Sequence, residues 1–479
     1  MDVLFDFDSV ARKPKITSDA LPQIREVFSI EDKALVFMKR RFNRNMPVRK
    51  YAITNKGHFD LPFFSTIYNE IKLSFPSLTF SFSSKFLEIA KTKEISADIV
   101  NLKLTPRDYQ IEAATIGMKK GRGVIVLPTS AGKTLVIALM INTILSKHSS
   151  TILILVPDIQ LVQQTYQDFL DYGLDNTLIS KWTGSYEFTN TKIVVANHQI
   201  LLSDKQDTTV LNSFEYIFVD ECHKMASAEK ISKLIKKLNC SHIFGFTGSM
   251  PLCKFDVWTI NRIFGPILYT KKSIELRNDQ YISKVRVIAL NMEYKDVPKF
   301  TTPSMLEPTA GYEEETQWLH TNEFRNSTIS KLINRLETNT LILVDRIVHG
   351  EHLLTYLQTK TTKQVYFVQG SVELEEREKI KSIMEETNDV VCIAISKIFS
   401  TGISIKNLHN IVFASIGKAR IKIIQSIGRS LRLHHTKEMA NIFDIADNCL
   451  RYGQKHFIER EQLYVAEKIP IITTKIVQN

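Results

Sequence analysis

Ten short, almost wholly apolar runs, spaced by longer helical stretches, restrict this chain to one broad fold class. Five lie at 123–127 (GVIVL), 151–156 (TILILV), 192–196 (KIVVA), 216–219 (YIFV) and 242–247 (HIFGFT). Five more lie at 340–344, 364–368, 390–395, 410–414 and 441–444. A strand covered on one face alternates apolar and polar residues, whereas a strand covered on both is apolar throughout. Helical stretches such as 133–147 and 158–171 fall between the runs, so the alternation predicts α/β architecture with parallel sheets. Two groups of five strands predict two such units in tandem.

The predicted boundaries are 1–100, 101–275 and 276–479. The first segment holds 12 of the 27 phenylalanines. Runs at 34–38 and 48–53 read as strands and 62–75 as an amphipathic helix, so it reads as a small α+β accessory domain. Segment 292–325, with Pro298, Pro303, Pro308 and the acid run Glu313 to Glu315, reads as an irregular entry into the third unit. The run 454–467 reads as a charged helix. Both α/β units carry their own apolar strands, so a chain lacking residues 1–95 is expected to keep a folded core.

Lysine and arginine number 62 against 51 acids, a net charge of +11 that suits a polyanionic partner. The densest basic stretch, 39–50 (KRRFNRNMPVRK), has six basic residues and no acid. It presents Lys39, Arg40, Arg41 and Arg44 either to nucleic acid or, more blandly, to solvent. The five cysteines form no C-x-x-C pair, which points away from zinc and disulfides and towards a reducing, cytoplasmic setting. The acidic N-terminus has no signal-peptide pattern, and no run approaches the ~20 apolar residues of a membrane span.

The segment 128–134 (PTSAGKT) follows one predicted strand and opens an apolar helix. Small residues Ser130, Ala131 and Gly132, flanked by Pro128 and Thr129, let backbone N–H groups converge on phosphates at a helix N-terminus. Lys133 is placed to reach the β- and γ-phosphates, and the Thr134 hydroxyl to ligate Mg²⁺. Gly-Lys-Thr alone is equally an ordinary helix start; the strand–loop–helix context favours a phosphate loop. VDECH, 219–223, ends a later strand. Alone it is a solvated acidic turn. Behind a phosphate loop, Asp220 suits a metal ion and Glu221 suits the attacking water. In 425–432 (QSIGRSLR), Arg429 and Arg432 share one helix face and could stabilise a transferring phosphoryl group, or form a plain anion patch.

With these elements in order, residues 104–450 resemble a superfamily 2 helicase of the DExH type, with a DECH box. Within it the motifs resemble the phage UvsW family of branched-DNA helicases. The resemblance implies two RecA-like domains, with adenine recognition by Arg107 and Gln110 in LTPRDYQ. It implies nucleic-acid contacts from Pro157 and Gln160, from Asn197 and Gln199, and from Thr401. It implies coupling of hydrolysis to movement through His223, Thr247 and Ser249, and nucleotide contacts from Gly402 and Gln425. Ser404 stands where many members carry Asp, which puts a ribose contact in doubt, and Ser130 stands where many carry Gly.

The implied activity is ATP- and Mg²⁺-dependent translocation on DNA by a monomeric motor. The expected substrates are forks, junctions, D-loops or R-loops, gripped largely through phosphates. An RNA helicase, the motor of a nuclease complex and a non-catalytic ATP-dependent clamp remain open. Glu221 and Arg429 weigh against the clamp, which needs no hydrolytic base.

Overall fold

The computed structural model describes residues 2–42, 47–91, 94–96, 98–202, 208–238, 240–304, 307, 309–370, 372, 374–396, 405–415, 428, 437–448 and 450–478. These fall into two compact units, one of residues 1–127 with 132–271, the other of 272–479 with 128–131.

The first unit is built on a seven-stranded sheet. Its order is Ile267–Thr270, Gly123–Val126, His242–Thr247, Tyr216–Val219, Ile152–Val156, Ile193–Asn197, Ile179–Trp182, and every pairing is parallel. The inner strands Gly123–Val126, Ile152–Val156, Ile193–Asn197 and Tyr216–Val219 are buried along their whole length, which is why their sequences are continuously apolar. Helices Lys133–Lys147 and Ile159–Asp171 supply crossovers.

Residues 2–90 of this unit form a smaller module. A mixed sheet in the order Lys13–Thr17, Asp2–Asp8, Thr79–Phe82 packs on helix Phe64–Ser74. Its core is aromatic: Phe5 lies 5.1 Å from Phe64, 5.6 Å from Phe82 and 5.7 Å from Phe86, centroid to centroid. Trp258, on helix Lys254–Phe264, completes that core at 5.5 Å from Phe28. Asp60 of the module binds both Lys236 Nζ, at 2.8 Å, and Arg262 Nε, at 2.6 Å. The module therefore shares its core and a two-cation ion cluster with the sheet unit, and cutting the chain near residue 95 bares Trp258. This argues against the expected independence of the core.

The segment 34–38 is a correction. Its sequence reads as a strand, but it lies in the helix Lys33–Phe42. Asp32 starts the helix by accepting the Leu35 N–H at 3.3 Å. Ala, Leu, Met, Lys and Arg dominate the helix itself, and helix propensity prevails in a segment whose Phe37 and Met38 stay exposed.

The second unit has its own seven-stranded parallel sheet. The order is Val365–Val368, Val391–Ile395, Thr340–Val344, Asn410–Ser415, Met439–Ala446, Lys284–Glu293, Ile471–Val477. The fold class expected from sequence is thus observed: two RecA-like α/β sheets and a small N-terminal mixed-sheet module. Part of the irregular segment 292–325 is helical. Tyr312–Thr321 carries Glu313, Glu314 and Glu315 in its first turn, where the helix dipole favours acids. Two buried ion pairs brace the strand end near residue 446: Arg325 with Asp447 at 3.1 Å, and Arg460 with Asp444 at 2.8 Å. No helix among the described residues is long and apolar enough to cross a membrane.

Candidate nucleotide site

Three neighbouring strands of the first unit, Gly123–Val126, His242–Thr247 and Tyr216–Val219, end at the same edge of the sheet. Their C-terminal ends carry the phosphate loop, Thr247 and Asp220. Carboxyl ends of parallel strands are where α/β sheets bind ligands. Adjacent strands lie about 4.8 Å apart, so the three ends span about 10 Å, within reach of side chains meeting over one ligand.

The loop has the backbone its composition suggests. Gly132, at φ 78°, is the N-cap of helix Lys133–Lys147. A Cβ on Gly132 would collide with the Gln110 side-chain amide. Ser130 also sits in the left-handed region, at φ 70°, which disfavours most side chains. Gln110 is buried, and its Oε1 accepts the Arg107 N–H at 2.8 Å. It therefore braces its own helix start and abuts the phosphate loop.

Asp220 and Glu221 are held differently although adjacent. Asp220 Oδ1 accepts the Glu221 N–H at 2.8 Å. Glu221 itself is left-handed at φ 50°, a conformation uncommon outside glycine and asparagine. Its Oε1 lies 3.7 Å from Lys133 Nζ, so the loop lysine and the DECH carboxylate meet. Its Oε2 lies 3.2 Å from His223 Nδ1, but that nitrogen bonds Thr247 Oγ1 at 2.9 Å, which leaves Oε2 buried with no hydrogen-bond partner. Thr247 in turn donates to the Ser249 carbonyl at 2.9 Å. Hydrogen bonds thus link His223, Thr247 and Ser249 across two strand ends, with Glu221 Oε2 3.2 Å from the His223 ring, bringing together two motifs that are separate in sequence.

Burial, then the charge of Glu221, pushes the Asp220 carboxyl up. Burial works against ionisation of Glu221 too, but Lys133 and His223 outweigh it and hold that carboxyl low. Two adjacent carboxyls with opposite shifts is the pattern expected where two groups divide two tasks. Among the described residues no cluster of three metal-ligating side chains occurs. Mg²⁺ takes one or two carboxylates and completes its shell with water and substrate phosphates, and Asp220 and the Thr134 hydroxyl have the oxygen donors that could hold it.

The expected nucleic-acid residues fare unevenly. Gln199 is exposed and Gln160 half-buried, whereas Pro157 and Asn197 are buried. Asn197 Oδ1 has no partner. Lys39 is exposed on its helix. Arg49 is engaged by Ser29 and Glu26, and Lys50 by Asp32, so two of the six cations in 39–50 are committed within the module. Arg44, Thr401, Gly402, Ser404, Gln425, Arg429 and Arg432 lie outside the described residues, and the side chains of Arg40 and Arg41 are likewise outside them. The sequence reading missed the left-handed turn at Glu221, for which no local signal such as glycine exists.

Residues 103–252 match the family model of the type III restriction enzyme res subunit, and residues 325–434 that of the helicase conserved C-terminal domain. The ATP-dependent DNA helicase uvsW of Enterobacteria phage T4 is 31% identical over 393 residues, 77% of this chain and 76% of the phage protein. The putative ATP-dependent helicase IRC3 of Saccharomyces cerevisiae is 23% identical, over 71% of this chain and 51% of its own length. The solved fragment of a putative HsdR subunit of a type I restriction enzyme from Vibrio vulnificus YJ016 aligns with a TM-score of 0.58 at 18% identity, covering 78% of this chain and 69% of that one; this is a likeness of fold. Matched along both α/β units and at this identity to the phage protein, the chain belongs to the superfamily 2 ATP-dependent helicases, in the family that includes UvsW.

Proposed function

We propose that this helicase uses ATP hydrolysis to remodel branched DNA. The observation that carries the hydrolytic part is the meeting of Lys133, Glu221, His223 and Thr247 at one sheet edge. Lys133 neutralises the terminal phosphates. Glu221, ionised and with Oε2 unsatisfied, orients the attacking water and takes its proton. Mg²⁺, held by Asp220 and Thr134, would supply charge neutralisation at the phosphates. Arg429 and Arg432 are assigned by their motif to the transferring phosphoryl group. His223 and Thr247 report the state of Glu221 to the neighbouring strand end, which suits a coupling role.

The branched-DNA part is supported by the motif resemblance to the UvsW family and by the basic stretch of the N-terminal module. Branch migration exchanges each base pair for an equivalent one, so its net cost per step is near zero. Long-range unwinding costs about 1.4 kcal/mol of stacking per step. Lys39, Arg40, Arg41 and Arg44 are the proposed grip on phosphates. An RNA substrate is the second reading, since the core motifs do not separate the two.

The test of the hydrolytic reading is Glu221→Gln. ATP binding should persist while turnover falls by about 10²–10⁴, the usual worth of a general base. Wild-type turnover would remove Glu221 from that role. For the substrate, ATPase and remodelling on a fork, a four-way junction, a tailed duplex and RNA should be compared. Action on the tailed duplex alone would defeat the branched-DNA reading, and stimulation by RNA alone would favour the second.

A further inference from the structure

At the end of the first sheet opposite the phosphate loop, residues of the N-terminal module and of the sheet enclose a cleft of about 580 Å³. Gly121 and Arg122 line it just before strand Gly123–Val126, and His242 where the next strand begins. Four residues of strand put it about 13 Å from the loop, and neither Lys133 nor any residue of 39–50 lines it.

One wall is apolar, with Phe7, Leu61, Phe64 and Ile89 half-buried and Phe59 buried; five cations, Arg12, Lys13, Lys91, Arg122 and Lys236, line the rest together with neutral residues such as Ile235, Leu238 and Ser241. Among the described residues Asp60 is the one lining carboxylate, and it is already divided between Lys236 and Arg262. Arg122 donates to the carbonyls of Cys240, at 3.2 Å, and Ile263, at 2.6 Å, while its Nε is buried with no partner. Among the described residues no carboxylate pairs with it, and burial lowers its pKa to about 10.

A guanidinium with its Nε shut away from water and no counterion is costly, and the cost falls when an anion enters the same low-dielectric space. The volume lies within the ~300–1,000 Å³ of ordinary ligand pockets, and an apolar wall with a few placed charges is their usual lining. Phosphate matches the cations, and a flat base matches the phenylalanines.

We propose that this cleft binds a nucleotide through its phosphate, with the base against the phenylalanine wall. The same phosphate ester could arrive as a free nucleotide or as the 5′-terminal nucleotide of a DNA strand. The inference rests on neither the ATP site nor the branched-DNA reading.

The full chain carrying Lys133→Ala, which silences the phosphate loop, should be titrated calorimetrically with thymidine, thymidine 5′-monophosphate, 5′-phosphorylated dithymidylate and inorganic phosphate. One-to-one binding is expected for a phosphorylated ligand, at least tenfold tighter than for thymidine or for phosphate alone. Adding Lys13→Glu and Lys91→Glu, both at exposed side chains, should weaken it at least tenfold. Equal affinity for the mononucleotide and dinucleotide identifies a free nucleotide as the source, and tenfold preference for the dinucleotide identifies a strand end. Absence of saturable binding, indifference to the 5′-phosphate, inorganic phosphate binding as tightly as the nucleotides, or affinity unchanged by the charge reversals would each overturn the proposal.

Discussion

Trp258→Ala should loosen the N-terminal module from the first sheet. The indole is 3% exposed, within 5.5 Å of Phe28 and 6.4 Å of Phe63, centroid to centroid, on a helix of the sheet unit. Burying an aromatic ring of roughly 200 Å² is worth on the order of 5 kcal/mol at about 25 cal/mol per Å². Aromatic-to-alanine changes in cores cost about 3–5 kcal/mol, since the cavity closes only in part. We therefore expect a loss of about 3–5 kcal/mol from the first unit, and about 1–2 kcal/mol for Trp258→Phe, which keeps a ring there. Urea unfolding followed by far-ultraviolet circular dichroism reads the size of the effect. Limited proteolysis reads its place, because residues 1–100 should be cut first. Deletion of residues 1–95 should be more damaging still: it bares Trp258 and takes Asp60 from Lys236 and Arg262. If Trp258→Ala unfolds within about 0.5 kcal/mol of wild type, with no earlier cleavage in the module, the shared core contributes nothing and this reasoning fails.

Thr247→Val removes the hydroxyl that binds His223 but keeps the volume, so ATPase should fall less than DNA remodelling; equal losses in both assays would argue against coupling through this bond. Neutralising Lys39, Arg40, Arg41 and Arg44 together should flatten the plot of log affinity against log salt by up to about 0.9 for each lost duplex phosphate contact, and an unchanged slope would return the stretch to a solvated face. In the second unit, His320 is buried, stacks on His349 at 4.0 Å, and faces Arg325, Arg346 and His352, with Glu313 in opposition. Burial first, then the nearby Arg325 and Arg346, lowers its pKa to about 4, below the ordinary 6.5. The unfolded chain thus binds the proton first as pH falls. The stability from keeping His320 neutral is present above about pH 6.5 and is lost towards pH 4, by up to about 3 kcal/mol. Thermal melts between pH 7 and 4.5 should show a shallower decline for His320→Gln, and parallel curves would exclude His320 as the titrating group.

The sequence determined the α/β class, the two sheets and most of their strands, because a strand buried on both faces must be apolar along its whole length. The phosphate loop and the DECH carboxylates were legible for a related reason: their chemistry demands particular residues next to particular element ends. Partly exposed or edge strands escaped notice. Ile471–Val477 is mostly exposed, and Ile267–Thr270 is buried at none of its positions. Thr473, Thr474 and Lys475 dilute the first with polar residues, and the second, ILYT, is only four residues long. The run 34–38 reads as a strand in sequence because a short apolar run is compatible with either element, and only its neighbours decide. Order within a sheet carries no local signature either. The tertiary structure alone set His242–Thr247 between Gly123–Val126 and Tyr216–Val219. That placement lets His223 reach Thr247, 24 residues away. The same holds for Trp258 among phenylalanines some two hundred residues earlier, and for Arg122 and Lys13 lining one cleft. Burial and charge pairing there depend on which surfaces the finished fold brings together, and no spacing along the chain encodes them.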